Sequence, residues 1–277
     1  MRTIYRVFAS IRDKKILCLE KYGLNIVEED NLFICYFDSD NLYFNKIIKN
    51  ISNNKLSYFT SVEFNKEEIE SSDWIVVEST WTSLYPYPRD INEYLKKTYN
   101  LDSYCKGNEP TVFCRLGKKQ NSLFHFEKNP RWATRNVMRI NWVYEELFVS
   151  SKFKSIFEKS SLNGFNFKEI YIKDKDISSD TFQLNILNTL PNCIESESIK
   201  EKYTCPICKR SKYLLKKGFI YLNKKIMDNN KFDIIKTSEK IGQVDADSLI
   251  IISKRFYKTI VDNKLDRGMN FIPIILK

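Results

Sequence analysis

The residues with the clearest chemical potential are two cysteines separated by two positions. Cys205 and Cys208 enclose a Pro-Ile dipeptide, and thiolates at this spacing can bind one tetrahedral metal ion from a single tight turn. A Lys-Arg dipeptide follows directly, and nearby positive charge favours the ionised form of a thiol. The sequence therefore predicts a metal-binding turn at this position.

A third ligand is predicted upstream of this turn. Cys193 is separated from Cys205 by eleven residues, which is enough chain to return to the same ion. A structural zinc site needs four ligands, and the sequence offers no evident fourth ligand, since the one histidine, His125, lies between two phenylalanines in a predicted strand. We therefore predict one structural zinc at Cys193, Cys205 and Cys208, with reduced, metal-free thiols as the alternative.

The remaining cysteines give a weaker pattern. Cys105 and Cys114 have eight residues between them, a spacing too wide for a metal-binding knuckle, so two separate thiols are predicted. The chain has seven cysteines in total. An odd number favours reduced thiols and a metal site over a disulfide framework.

Motifs for catalysis are not evident. A Ser–His or Cys–His arrangement would have to use His125, and no neighbouring residue supports one. Seven glycines in the whole chain leave little room for a phosphate-binding loop or a dinucleotide fingerprint, and neither motif occurs. The sequence therefore predicts a protein that is not an enzyme, with an enzyme of unrecognised type as an alternative.

The composition is that of a folded protein without a membrane segment. Of the 277 residues, 43% are hydrophobic and 14% aromatic, and no stretch approaches the roughly 18 apolar residues that span a bilayer. The N-terminus lacks the apolar region of a signal peptide, so we expect a cytoplasmic protein with no membrane partner. The formal net charge is +10, and positive charge is concentrated in the segment 209–236, with nine basic and two acidic residues. That segment is either a solvated face or a surface for an acidic partner.

The order of predicted elements suggests three regions. Strands are predicted at 3–10, 32–37, 57–64 and 74–77, with Asn65 and Glu68 spaced as a capping box for a short helix between the last two. Pro86 and Pro88 interrupt this pattern. We therefore predict an N-terminal α/β region at 1–90, a first repeat-containing region at 91–192, and a segment at 193–277 that holds the Cys-x-x-Cys pair and a second repeat.

The repeat itself is visible in the residues around two serines. Each copy predicts an apolar strand, a serine that caps a short helix, a glycine after the helix and a second strand. The predicted class is therefore α+β, with mixed sheets, short helices and an internally duplicated strand–helix–strand unit. Ser150, Phe153 and Leu162 match Ser253, Phe256 and Leu265 at a spacing of 103 residues, and Gly164, Asn166, Phe167 and Ile170 match Gly268, Asn270, Phe271 and Ile274 at a spacing of 104.

Together these features resemble the double-CxxCG-motif proteins. The resemblance covers roughly residues 100–277 and departs from the family pattern at three points: Lys209 replaces a glycine, the first cysteine pair is reduced to Cys105 and Cys114, and no histidine precedes Cys193. The residues that carry it are the stretches 205–210, 232–235, 249–253 and 265–274 with Phe256, and, in the middle of the chain, 120–142, 146–149 and Gly164.

The resemblance implies a function by binding. Several double-CxxCG-motif proteins are immunity proteins paired with bacterial toxins, so we expect a protein that neutralises a cognate protein toxin by direct contact. The basic segment 209–236 and the aromatic loop 81–87 are the candidate surfaces. A zinc-knuckle protein that binds nucleic acid is the less favoured alternative.

Overall fold

The computed structural model describes residues 1–108, 112–243 and 245–277, with the backbone alone for residues 108, 112 and 113. The chain divides into two compact units, Met1–Glu68 and Ile69–Lys277. This division differs from the boundary predicted at residue 90, because the strand Trp74–Ser79 pairs with strands of the second unit near the C-terminus.

The first unit is a four-stranded antiparallel sheet with helices packed on one face. The elements are β1 (Arg2–Ser10), β2 (Val27–Glu29), β3 (Leu32–Asp38), α1 (Phe44–Asn53) and β4 (Ser57–Glu63), and the strand order is β2-β3-β1-β4. Alternate residues of the first strand, including Tyr5 and Val7, join the core, where they meet Ile16 of a 3₁₀ helix (Lys14–Tyr22) and Ile47 of an α-helix.

The capping box predicted before the next helix is confirmed. Helix α2 (Lys66–Ser71) begins after Asn65, whose Oδ1 accepts a hydrogen bond from the backbone N–H of Glu68 at 2.8 Å. The Glu68 carboxylate in turn accepts from the Asn65 N–H at 2.9 Å. These two bonds satisfy donors that would otherwise be unpaired at the helix start.

Within the residues that the structure describes, the second unit contains two larger sheets and three two-stranded ribbons. A 3₁₀ turn at Ser196–Ser198 precedes one of the ribbons. The elements are β5 (Trp74–Ser79), α3 (Ile91–Thr98), β6 (Tyr99–Asn100), β7 (Cys105–Asn108), β8 (Val112–Leu116), β9 (Lys119–Gln120), β10 (His125–Phe126), β11 (Val137–Ile140), β12 (Val143–Ser150), α4 (Ser151–Glu158), β13 (Phe165–Ile172), β14 (Asp176–Ile186), β15 (Thr189–Leu190), β16 (Ile199–Thr204), β17 (Ser211–Leu215), β18 (Ile220–Leu222), α5 (Lys224–Asp228), β19 (Ile234–Thr237), β20 (Ile250–Ser253), α6 (Lys254–Asp262) and β21 (Met269–Leu276).

The two larger sheets repeat one arrangement. One sheet has the order β10-β13-β14-β12-β11, and the other, followed from its far edge, has the order β18-β21-β5-β20-β19-β15. In both, the first pair is parallel and the next three pairs are antiparallel. The α+β class and the duplicated unit are thereby confirmed. The central strand of the second sheet, β5, comes from a distant part of the chain.

The serine caps predicted in both copies are also present. The Ser150 Oγ accepts a hydrogen bond from the Phe153 N–H, and the Ser253 Oγ accepts one from the Phe256 N–H, each at 3.2 Å. Both helices contribute to one core, in which the rings of Phe157 and Phe256 lie 4.6 Å apart. The two stretches that match in sequence therefore form equivalent helices, and both helices pack into the same hydrophobic core.

The two copies share a further hydrogen bond of the capping serine that was not predicted from the sequence. The Ser150 hydroxyl donates to Asn136 Oδ1 at 2.8 Å, and the Ser253 hydroxyl donates to Asp233 Oδ1 at 2.7 Å. Asn136 directly precedes β11, and Asp233 directly precedes β19. Because these strands hold equivalent places in the two sheets, the duplication extends upstream of the predicted units.

The α-helices of both units are short, and α1 has ten residues. Among residues 1–108, 112–243 and 245–277, no helix is both long enough and apolar enough to cross a bilayer.

Candidate metal centre

Two antiparallel ribbons bring four cysteines together. The ribbon β7–β8 carries Cys105 and Cys114, and the turn that joins β16 to β17 carries Cys205 and Cys208. Pairing between β7 and β8 places Cys105 opposite Leu116, so Cys105 and Cys114 lie close together although eight residues separate them in the sequence. The prediction that Cys105 and Cys114 are separate thiols is therefore wrong.

The four sulfur atoms have the spacing of a tetrahedral metal site. All four Sγ atoms lie within 4.8 Å of one another. Cys105 and Cys205 are 3.8 Å apart, and Cys114 and Cys208 are 3.4 Å apart. Metal–sulfur bonds of about 2.3 Å in a tetrahedron separate the sulfurs by about 3.8 Å. These four cysteines could hold a metal ion, and their geometry is compatible with a structural zinc.

The backbone of the turn lowers the pKa of one thiol in the cluster. The N–H groups of Cys208 and Ile207 donate to the Cys205 sulfur and lower the pKa of this thiol to about 7, against the opposing effect of desolvation. Burial raises the pKa of Cys114 to about 12. Since a coordinating thiol is deprotonated by the cation itself, a metal at the centre would supply the charge that Cys114 needs to ionise.

The two ribbons are joined by Arg210 and a glycine. The Arg210 guanidinium donates to the carbonyl oxygens of Ser103 at 2.6 Å and Leu116 at 3.0 Å. Gly117 has φ +98°, and a Cβ at this position would lie 2.0 Å from the Ser103 carbonyl oxygen. Only glycine therefore permits this approach of the backbone segments beside the cysteines.

No protein-family model matches the chain, and no curated protein matches it.

The residue after each second cysteine has a left-handed backbone. Arg115 follows Cys114 with φ +56°, and Lys209 follows Cys208 with φ +60°. This region is favourable for glycine and costly for other residues. Lys209 therefore has the backbone conformation that a glycine would adopt without strain.

Replacing Lys209 with glycine is expected to stabilise the protein by about 1 kcal/mol, because glycine removes the steric cost of the positive φ. Chemical denaturation in the presence of Zn²⁺ measures this difference. Lys209→Ala is the matched control, since it removes the same side chain but keeps a Cβ, and it should give no stabilisation. Equal stabilities for the glycine and alanine variants would contradict the backbone explanation.

Cys193, the predicted third ligand, lies elsewhere. It is buried in the core beneath the six-stranded sheet, with Leu222 and Ile251, and its backbone N–H donates to Glu239 Oε1 at 2.6 Å. Burial raises the pKa of its thiol to about 12. The intervening strand β16 is extended and carries the chain away from Cys193 toward the turn that holds Cys205 and Cys208. The predicted ligand set is thus corrected: Cys105 and Cys114 accompany Cys205 and Cys208.

One signal in the sequence could have identified the missed cysteines. Cys105 precedes Cys205 by 100 residues, close to the spacing of 103 that relates the serine-capped helices. Extending the duplication upstream would have placed the two cysteine-bearing segments at corresponding positions, with the second cysteines, Cys114 and Cys208, 94 residues apart.

His125 takes no part in the cysteine cluster. Its ring stacks on Tyr171 with centroids 4.9 Å apart, and its Nδ1 lies 3.0 Å from a carboxylate oxygen of Asp174 and close to the carbonyl oxygen of Lys173. The arrangement orients the imidazole at the edge of a sheet.

Proposed function

We propose that this protein is an immunity-type binding protein that neutralises a cognate bacterial toxin by direct contact, and that a structural zinc at the four cysteines holds its second unit in shape. The observation that supports binding is an exposed aromatic and arginine-containing patch on the first unit. The zinc proposal rests on four thiols, which fill a tetrahedral coordination sphere and leave no open position for a substrate.

The patch lies on the sheet face opposite the core of the first unit. Arg6 pairs in register with Tyr36 on one side and Phe59 on the other, so the three side chains share a face. The exposed fraction is 55% for Tyr36 and 65% for Phe59. Phe59 stacks on Phe8 at 5.2 Å, and the Arg6 guanidinium lies 5.9 Å from the centre of the Tyr36 ring. We name Arg6, Phe8, Tyr36 and Phe59 the aromatic patch.

The composition of the aromatic patch is typical of a protein interface. Tyrosine, phenylalanine and arginine are enriched at such surfaces, and a few residues of this kind contribute most of the binding energy. The rings are already ordered by stacking and by the guanidinium contact, so less conformational entropy is lost on association. A partner with an apolar surface and an acidic group facing Arg6 would complement this patch.

The two surfaces predicted from the sequence are less suitable. In the loop 81–87, Trp81 packs edge-on against Trp132 and Tyr85 against Trp142, so these rings support the interior. In the basic segment, Lys212 is buried, and Lys236 forms an ion pair with Glu146 at 2.7 Å. These contacts favour a protein partner at the aromatic patch over nucleic acid bound along the segment 209–236.

Phe59→Ala is expected to weaken binding to the toxin by at least tenfold, because truncating an anchor ring typically costs about 2 kcal/mol. Titration calorimetry between this protein and a toxin encoded beside it measures the affinity. Ile177→Ala is the matched control, because Ile177 is an apolar side chain on the second unit that is 49% exposed, and its loss should leave the affinity unchanged. Full toxin activity in the presence of a saturating amount of this protein would refute the proposed function.

A further inference from the structure

Two adjoining cavities in the second unit contain an unusual number of charged groups. The first has a volume of about 160 Å³ and the second about 140 Å³. Both are smaller than the roughly 300–1,000 Å³ of pockets for drug-sized molecules. Arg115, Lys118, Glu145, Ala246 and Asp247 line both cavities, so the two form neighbouring chambers around shared residues.

Most charges in the chambers are already paired. Lys118 lies 2.5 Å from Glu145, which also accepts a hydrogen bond from the Tyr99 hydroxyl at 2.8 Å. Lys236 pairs with Glu146, and Arg115 pairs with Asp245 at 2.9 Å. Each of these pairs is internally neutral and orders the chamber walls.

Two opposite charges are left without an ionic partner. Across the part of the chain that the structure describes, Asp247 makes no side-chain hydrogen bond and no ion pair, and Lys240 donates only to the Ser248 hydroxyl, at 3.0 Å. Burial and the nearby Glu145 raise the pKa of Asp247 to about 6, against the opposing effects of the cations Lys118, Lys240 and Arg139. Burial and Lys236 lower the pKa of Lys240, which Asp247 partly offsets from beyond ion-pair distance. Charges left unpaired inside a protein are costly, so a ligand with complementary charges would relieve both.

The residues that line the chambers indicate which chemical groups such a ligand would carry. Asp247 lines both chambers and can accept from an ammonium group, while Lys240 lines the second chamber and can donate to a carboxylate. The first chamber is also lined by four aromatic side chains, Tyr94, Tyr104, Trp142 and Tyr144, which suit an apolar or aromatic group next to a cation.

We propose that these chambers bind a free α-amino acid with an apolar or aromatic side chain, whose ammonium group faces Asp247, whose carboxylate faces Lys240 and whose side chain occupies the aromatic chamber. The site is distinct from the cysteine cluster but adjoins it, because Ala246 packs against the cluster and lines both chambers. It is independent of the proposed toxin interface on the first unit.

The test uses the full chain with its metal retained and titration calorimetry with each of the twenty common amino acids. For the tightest binder, the corresponding decarboxylated amine and deaminated acid are then titrated, and both should bind at least tenfold more weakly. Binding of none of the twenty amino acids, or equal binding of the amine and the amino acid, would overturn the proposal.

Two substitutions test the carboxylate and the ammonium group of the chambers separately and distinguish the loss of either charge from a general disruption of the fold. Asp247→Asn should weaken binding of the amino acid and of the amine at least tenfold but leave the acid unaffected. Lys240→Met should weaken binding of the amino acid and of the acid but not of the amine. Asp228→Asn, at an exposed carboxylate on α5, is the control and should change none of the three. An affinity that survives both cavity substitutions would exclude this site.

Discussion

Cys208→Ser is expected to reduce the metal content from one ion per chain to almost none and to destabilise the second unit by several kcal/mol. The hydroxyl of serine is a poor replacement for a thiolate, and the remaining three sulfurs would leave the ion incompletely coordinated. Structural zinc contributes roughly 10–16 kcal/mol of apparent binding energy in small zinc-binding peptides. Even a modest share of this energy is large beside the roughly 5–15 kcal/mol by which folded domains are stable.

Elemental analysis of protein purified without chelator measures the metal content, and thermal unfolding measures the stability. A loss of about 4 kcal/mol would lower the midpoint of a unit of this size by about 10 °C. Chelation of the metal from the unsubstituted protein should produce a similar shift, and addition of Zn²⁺ should reverse it. The serine variant should not respond to Zn²⁺, since its ligand set is incomplete.

Cys193→Ala is the matched control, because it tests the ligand that sequence spacing favoured. Cys193 is buried, like Cys105, Cys114 and Cys205 and unlike the half-buried Cys208, but it lies in a different core, against Leu222 and Ile251. We expect this variant to keep one metal ion per chain and to lose only about 1 kcal/mol from reduced packing. A variant that lacks the metal after loss of Cys193, or one that retains it fully after loss of Cys208, would contradict the assignment of the four ligands.

Structural features that depend on residues close together in the sequence were predictable. The serine caps at Ser150 and Ser253 and the box formed by Asn65 and Glu68 depend on residues three positions apart, and each forms the predicted hydrogen bonds. The duplicated unit was predictable for the same reason. Apolar, capping and glycine residues recur at corresponding positions of the two copies, and few other residue types can replace them at those positions.

Features that depend on distant pairing were not predictable in the same way. Strand β5 joins two strands from the opposite end of the chain, and no local pattern of residues 74–79 indicates those partners. The cysteines of β7 and β8 are brought together by antiparallel strand pairing, whereas a knuckle needs a spacing of two. Proximity in sequence favoured Cys193, but a strand of extended chain separates it from the turn.

The duplication also explains why two cysteine pairs meet. Each pair precedes a strand that lies parallel to the last strand of its copy, β10 beside β13 and β18 beside β21. If both copies descend from one strand–helix–strand unit with its own pair of cysteines, each copy would bring half of a tetrahedral site. The left-handed backbone at Arg115 and Lys209 supports this correspondence, because it follows the second cysteine of each pair.

Phe256→Ala is expected to destabilise the protein by about 3–5 kcal/mol, because removing a buried aromatic ring forfeits its transfer energy and leaves a cavity. Phe157→Ala should have a similar effect, since both rings are almost completely buried, with exposed fractions of 2% for Phe256 and 1% for Phe157. Phe59→Ala, at an exposed ring, should change the stability by no more than about 0.5 kcal/mol.

Combining the two core substitutions tests whether the copies share one interior. The rings of Phe157 from the first copy and Phe256 from the second lie 4.6 Å apart, and contacting aromatic pairs interact by about 0.5–1.5 kcal/mol beyond the burial of their areas. The double variant should therefore be more stable than the sum of the single effects implies. Effects of the two substitutions that add to within about 0.3 kcal/mol would indicate independent sites, and α4 and α6 would then have to stabilise separate cores.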